Sequence, residues 1–367
     1  MSERFHELSA AGIRLVVDLA VGHVRHFEVT RDGRTVAPLH TAPWVNDPTV
    51  TKDPEVFPNL KYLSGDFFCA PFGQSNVEAG SPASHGWPAN SPWRLISDES
   101  GEGVRTARFA LEHTVMGATV TRAMTVRDGH PFAYVHHTLA GGEGKISVAS
   151  HGMAHFAAPG RLSFSPKAFI ETPSFQAEPD PKRGHSVVAP GQHITDPTQL
   201  ALSAGGVVDM HVYPLAERNE DFAMLVEAPD AKLGWTAAVH PDAGSIMLSL
   251  KNPRDYPVTF FWYSNGGRFY APWNGRHTGV LGIEEGRAYS FYGHKASIEP
   301  NPLSDAGIPT SVTLGPDGTV SLHHVIGGMP LPTGWGAVSD ITVDGDGLRI
   351  TGDGGVVSVP FDAGFLA

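Results

Sequence analysis

Glycine and proline punctuate this chain from end to end, and that punctuation limits what it can fold into. There are 42 glycines and 30 prolines among 367 residues, about a fifth of the chain. They are spread so evenly that no stretch free of both runs much beyond about 14 residues. Proline removes a helical hydrogen bond, and glycine is entropically costly inside a helix. Long helices are therefore excluded. Between the breaks, apolar and polar residues alternate. In "GIRLVVDL" Ile13, Leu15, Val17 and Leu19 share one face, and "ATVTRAMTV" and "FAYVHHTLA" repeat the pattern. A period of two marks half-buried strands. Turn signals separate the runs: "RDGR" at 31–34, "RDGH" at 127–130, "NGG" at 265–267 and "PDG" at 316–318. Asp-Gly and Asn-Gly supply the positive φ angles that tight hairpins need. The pattern predicts an all-β protein built as a large antiparallel β-sandwich.

Residues 1–300 read as the sandwich domain. From 301 the strands shorten and glycine is dense, so 301–367 read as a small C-terminal β appendage packed on it. The Pro-rich, polar stretch 171–200 reads as a long surface connection. Acidic residues outnumber basic ones, 38 to 26, for a formal net charge of −12. The basic residues form no run, which argues against a nucleic-acid partner. No apolar stretch approaches the length of a membrane helix. The opening "MSERFHELSA" lacks the apolar core of a signal peptide. The single cysteine, Cys69, can form neither an internal disulfide nor a Cys-based zinc site. The expectation is a soluble, cytoplasmic protein, monomeric or homodimeric, whose partner is a small molecule.

Three segments concentrate rigid, aromatic and titratable residues. In 65–95, "GDFFCAPFGQSNVEAGSPASHGWPANSPWRL", Phe67, Phe68, Phe72, Trp87 and Trp93 accompany His85. In 147–169, "SVASHGMAHFAAPGRLSFSPKAF", His151 and His155 stand four apart. In 258–291, Trp262, Tyr270 and Trp273 accompany Arg268, Arg276, His277 and Glu284. Taken singly, each histidine or aromatic is as a rule structural, and either arginine could simply cap a loop. Their combination reads as an apolar pocket with a few convergent polar groups. Glu284 follows Gly282 and Ile283 in what reads as a buried strand. A carboxylate there is expensive unless paired, and its shifted pKa would suit a general base. Glu285 would point to the other face, where solvent is expected.

These segments resemble the galactose mutarotase-like superfamily, in particular its aldose 1-epimerase and hexose-phosphate epimerase branches. "GIRLVVDLAVGHVRHFEVTRDGRTVAPLH" is similar to the family's opening strands. "SGDFFCAPFG" followed by "SHGWPANSPWRL" resembles its Pro/Gly loop, His-Gly motif and tryptophan. "SHGMAHFAAPGRLSFSP" sits where the family carries a second histidine, and "GVLGIEE" resembles the late strand with its glutamate. The similarity covers roughly residues 10–295. It implies a β-sandwich that opens and recloses a sugar ring without cofactor or metal. In that scheme His151 is the general acid and Glu284 the general base, with His155 competing for the acid role. His85 would bind a sugar hydroxyl. Asp221 would contact substrate, and Arg276, His155 and Trp273 complete the implied binding set. Acid and base should face each other across a cleft as wide as a pyranose.

One position departs from the resemblance. Four residues after His85, where relatives commonly carry a substrate-holding arginine, stands Ala89. That weakens the case for a phosphorylated sugar, the natural ligand of bidentate arginine, and leaves Arg276 as the replacement from another loop. It also keeps open a second reading, a carbohydrate-binding or sensor protein of the same fold without catalysis. No metal site is expected. His136 and His137 are adjacent on a strand and point apart, and the segment holding His151 and His155 does not read as helical.

Overall fold

The computed structural model describes residues 4–75 and 84–367. Residues 76–83, which belong to the first aromatic segment, lie outside the described residues. Two large antiparallel sheets form the body. One has seven strands, in the order His193–Ile194, Lys167–Glu171, Asn219–Glu227, Val258–Asn265, Val280–Arg287, Val148–His155 and Phe68–Cys69. The other has nine, running from Val212–Tyr213 at one edge to Trp93–Gly101 at the other. Among the described residues the longest helix is Gly293–Ile298, as the spacing of glycine and proline predicts. No described helix is long and apolar enough to cross a membrane.

The inner faces of the two sheets share one apolar core. Ala223, Phe261, Leu281 and Ile283 from the seven-stranded sheet pack with Met124, Val135, Ala238 and Met247 from the nine-stranded one. An N-terminal sheet of four strands, Phe5–Ala10 through Arg34–Val36, adds Leu8, Leu15, Val17 and Phe27 to that core. The expected alternation holds in its second strand, where Ile13, Leu15 and Val17 are buried. The turn at 31–34 closes its last hairpin, with Asp32 and Gly33 both at positive φ.

The region from 301 onward divides differently from the expectation. Val312–Leu314 pairs with Gly144–Ile146, and Thr319–Pro330 runs inside the nine-stranded sheet, between Ser245–Lys251 and Phe132–Gly141. Residues 301–330 thus belong to the main sandwich. The strands Val338–Asp344, Gly347–Gly352 and Gly355–Pro360 pair only with one another, in a sheet of three. It covers the outer face of the nine-stranded sheet, where Trp335, Ile341, Leu348 and Ile350 meet Trp235, Leu248 and Val325. The outer face of the seven-stranded sheet is covered instead by loops, whose Trp44, Phe67, Phe72 and Trp273 pack on Met153, Phe260 and Trp262.

Candidate active site

Two neighbouring strands of the seven-stranded sheet carry the histidine and the glutamate. Val148–His155 and Val280–Arg287 pair antiparallel along their full length, with His151 directly opposite Glu284. Directly opposed residues present their side chains on the same face, here the loop-covered one. Phe260 flanks Glu284 on the other side. Gly282, two residues before Glu284, makes room for its carboxyl, and Gly286, two after it, makes room for the Phe260 ring. A Cβ on Gly282 would fall 2.7 Å from Glu284 Oε1 and 2.9 Å from Trp262 Cβ, and one on Gly286 would fall 2.8 Å from the Phe260 ring. The run Gly-Ile-Glu-Glu-Gly therefore leaves a trough for a carboxyl between two aromatic rings.

His151 Nε2 lies 3.1 Å from Glu284 Oε1, and the two side chains are only 4% and 5% exposed. Burial pushes the Glu284 carboxyl up to about 8. Burial, with His85 and His23 nearby, holds the His151 imidazole well below its ordinary range. Desolvation opposes charge on both groups, which favours a protonated Glu284 beside a neutral His151, the reverse of the acid and base roles that the resemblance implies. The pyranose-wide gap expected between acid and base is not found. The two stand side by side because their strands are adjacent.

Aromatic rings hold the imidazole. His151 stacks on Phe67 at 4.4 Å, and Phe67 stacks in turn on His23 at 4.1 Å. His85 meets His151 edge-on at 5.1 Å and touches Phe72. His85 takes a positive φ of 75°, and Gly86 follows it because a Cβ there would lie 2.0 Å from the Ala70 carbonyl oxygen. Burial lowers His85 to about 4. His85 Nδ1 and His151 Nδ1 are both buried without a hydrogen-bond partner. Ala89 is fully buried in the same loop-side core as Phe67 and Phe72. The two tryptophans of this loop are packing groups: Trp93 donates to the Pro88 carbonyl at 2.8 Å, and Trp87 stacks on His113.

Trp262 links this pair to a second polar cluster. Its ring stands 5.8 Å from His151, and its N–H donates to Glu220. Ser264 Oγ donates to Glu220 Oε2 at 2.9 Å, and Arg268 Nη2 lies 3.2 Å from Glu220 Oε1. Burial pushes Glu220 up to about 6. Arg268 also donates to Glu178 at 3.1 Å, as does the Tyr270 hydroxyl at 2.8 Å, and its guanidinium lies 4.7 Å from the Trp273 ring centre. Trp273 meets Trp262 edge-on at 5.9 Å, so it stands beside the pair's neighbourhood. The sequence reasoning missed Glu220 and Glu178. Glu220 shares the parity of Phe222, which pairs with Trp262, and Glu178 comes from the stretch read as a surface connection.

The remaining expected residues stand apart from His151 and Glu284. Asp221 points to the opposite face of its strand. It accepts from the backbone N–H of Val188 at 3.0 Å and of Val187 at 3.1 Å, and from Asn219 Nδ2 at 2.9 Å. His155 is four residues along the strand, with its Nδ1 3.3 Å from His40 Nδ1. Arg276 is half-buried, donating to the Pro272 carbonyl and lying 3.4 Å from Asp47 Oδ2. Glu285 is a correction to the sequence reading. It is fully buried between the sheets, where Lys251 Nζ meets it at 2.7 Å. Among the described residues no three His, Cys, Asp or Glu side chains gather as metal ligands would.

Comparison with known proteins gives no matching family model and no matching curated protein. Solved structures do match. A galactose mutarotase-like protein from Lactobacillus casei ATCC 334 superposes with a TM-score of 0.55 at 12% identity, over 89% of this chain and 100% of that one. A galactose mutarotase related enzyme from Lactobacillus acidophilus gives 0.55 at 8% identity, over 89% and 98%. A galactose mutarotase-like protein from Clostridium acetobutylicum gives 0.54 at 11% identity, over 89% and 95%. Together with the two facing sheets, these matches show that this chain has the fold of the galactose mutarotase-like superfamily.

Proposed function

We propose that this protein is an enzyme of the aldose 1-epimerase type, which interconverts the anomers of a sugar through His151 and Glu284. The observation that carries the reading is the buried contact of 3.1 Å between His151 Nε2 and Glu284 Oε1, in a setting where burial opposes charge on both groups. Ring opening of an aldose needs two proton transfers at neighbouring oxygens. The anomeric hydroxyl loses a proton, the ring oxygen gains one, the C1–O5 bond breaks and the C1=O1 bond forms. Both oxygens are bonded to C1, so an acid and a base standing side by side suit the task. Rotation about C1–C2 and the reverse transfers then close the ring with the other face up, and the pair regains its starting state. The unpartnered Nδ1 atoms of His85 and His151 are suited to meet sugar hydroxyls.

Positioned proton-transfer groups typically contribute about 10²–10⁴ in rate. Polarimetry on freshly dissolved α-glucose and α-galactose tests the proposal. Faster mutarotation is expected in the parent, with a loss of at least about tenfold in both His151→Ala and Glu284→Gln. Inactivity of the parent on every common aldose would overturn it.

A second reading has its own observation. Ala89 is fully buried, so an arginine could not reach substrate from that position without rebuilding the loop. A site without that clamp suits a protein that binds a sugar without turning it over. In that case a sugar binds with equal affinity to the parent and to Glu284→Gln, and the parent shows no turnover.

A further inference from the structure

The reverse side of the same two strands carries a second imidazole–carboxyl system, sealed between the sheets. Ser150 precedes His151, Glu285 follows Glu284, and Ser150 and Glu285 are themselves register partners. Glu285 Oε2 accepts from Thr259 Oγ1 at 2.7 Å and meets Lys251 Nζ at 2.7 Å, while Ser249 Oγ donates to Oε1 at 2.8 Å. Burial pushes Glu285 up, but Lys251 and Lys167 outweigh it and hold the group down to about 2. Glu285 is therefore an acceptor only.

The protons along this file can be counted. Ser249 gives its single proton to Glu285, so its oxygen must accept from His324 Nε2, 3.0 Å away. His324 Nδ1 lies 2.9 Å from Ser150 Oγ, which lies 3.1 Å from Asp66 Oδ2. Ser150 also has one proton. The file Asp66–Ser150–His324 closes only with one more, either on Asp66 or on His324 Nδ1. Asp66 feels Arg122, Glu285, Tyr256 and Cys69, and His324 feels Glu285, Lys251, His137 and the Tyr256 ring. Burial pushes Asp66 up to about 7, against the lowering effect of Ser150 and Arg122, and pushes His324 down to about 4, which favours the proton on Asp66 over His324.

Asp66 is also fastened to the outer pair. His151 N donates to the Phe67 carbonyl and Met153 N to the Gly65 carbonyl, each at 2.8 Å. The segment 65–67 thus lies along the His151 strand, with Asp66 turned inward and Phe67 stacked on His151. We propose that Asp66, Ser150 and His324 form a one-proton relay, anchored through Ser249 on Glu285, that positions the Phe67–His151–Glu284 stack from inside the sandwich. The donor that closes the relay is the protonated Asp66 carboxyl. These are positioning residues, and their role rests on His151 and Glu284 being the reacting pair.

The test combines the ¹⁵N shifts of His324 with a ¹³C carboxyl titration of Glu284, in the full-length parent and in Asp66→Asn, Asp66→Ala and Ser150→Ala. The parent should show a neutral His324 with its proton on Nε2 at pH 7. Asp66→Asn should match it, because the amide can still donate to Ser150. The Glu284 midpoint should stay put in Asp66→Asn and move by about half a pH unit or more, roughly threefold in proton affinity, in Asp66→Ala and Ser150→Ala. An imidazolium at His324 in the parent overturns the proposal, and so does a Glu284 midpoint unmoved in both alanine variants. The parent's tautomer is readable even if an alanine variant does not fold. None of these readouts needs turnover, so a parent inactive on sugars would sink the acid–base reading separately.

Discussion

Gly282 and Glu284 stand on the same face of one strand, close enough that a methyl group on Gly282 would lie 2.7 Å from Glu284 Oε1. The carboxyl end can swing aside, but Trp262 Cβ, 2.9 Å away on the other flank, cannot do so easily. Gly282→Ala should therefore push Glu284 off His151 while leaving the sheet intact. Overpacking of this kind costs about 1–3 kcal/mol. Mutarotation by the variant should fall at least about tenfold, the lower end of a proton-transfer contribution. Parental turnover in a folded Gly282→Ala protein would mean the position of that carboxyl is immaterial.

Glu284 also sets a pH dependence of stability. Its carboxyl is raised from an ordinary 4.5 to about 8 in the fold. Between those values the unfolded chain has released the proton and the folded chain has kept it. Stability from this group is thus complete below about 4.5 and is lost as pH rises through about 8, with a slope of at most about 1.4 kcal/mol per pH unit. Asp66, raised to about 7, slopes the same way over a lower window. Urea denaturation at pH 5 and pH 8 should show Glu284→Gln losing less stability than the parent across that interval. Identical losses would mean that Glu284 is ionised in the folded protein.

His85 and His151 should separate kinetically. His85 touches the reacting pair only through the edge of its ring, so it fits a role in holding substrate. His85→Ala should raise KM more than it lowers kcat, and His151→Ala should do the reverse. Steady-state kinetics on the best aldose decides it, and the opposite pattern would exchange the two assignments.

The interior ions should matter more than those outside. Lys251 is fully buried and reaches Glu285 at 2.7 Å and Glu227 at 3.0 Å. Lys251→Met takes the contacting cation from Glu285 and leaves Glu227 to Lys167 alone, and should cost about 3–5 kcal/mol in chemical denaturation. Arg276→Ala removes a half-exposed contact with Asp47, and exposed pairs of that kind contribute about 0–1 kcal/mol. Comparable losses in the two variants would contradict the burial argument.

The sheets and the hairpin turns at 31–34 and 127–130 were readable from the chain because glycine, proline and strict alternation act locally, whereas 265–267 and 316–318 close no hairpin. Alternation also placed Glu284 and Glu285 on opposite faces. It could not say what each face meets, and a second sheet, not water, covers Glu285. Register is likewise invisible in one strand. That His151 faces Glu284 across 133 positions of sequence follows from strand pairing, so the side-by-side contact could not be anticipated. Asp221 was chosen where its neighbour Glu220 points toward Trp262, a parity that only the partner strand reveals. The expected boundary at 301 was drawn from glycine-dense, short-stranded sequence, which describes the outer sheet but not the 12-residue strand Thr319–Pro330 that precedes it.

That inserted strand has a consequence for how the molecule is made. Thr319–Pro330 bridges Ser245–Lys251 and Phe132–Gly141, two strands synthesised long before it. Until the ribosome has released it, the nascent polypeptide carries two unzipped β edges that must wait for their common neighbour. Open edges are templates for intermolecular pairing, so prematurely terminated copies ending before residue 319 should accumulate as insoluble material.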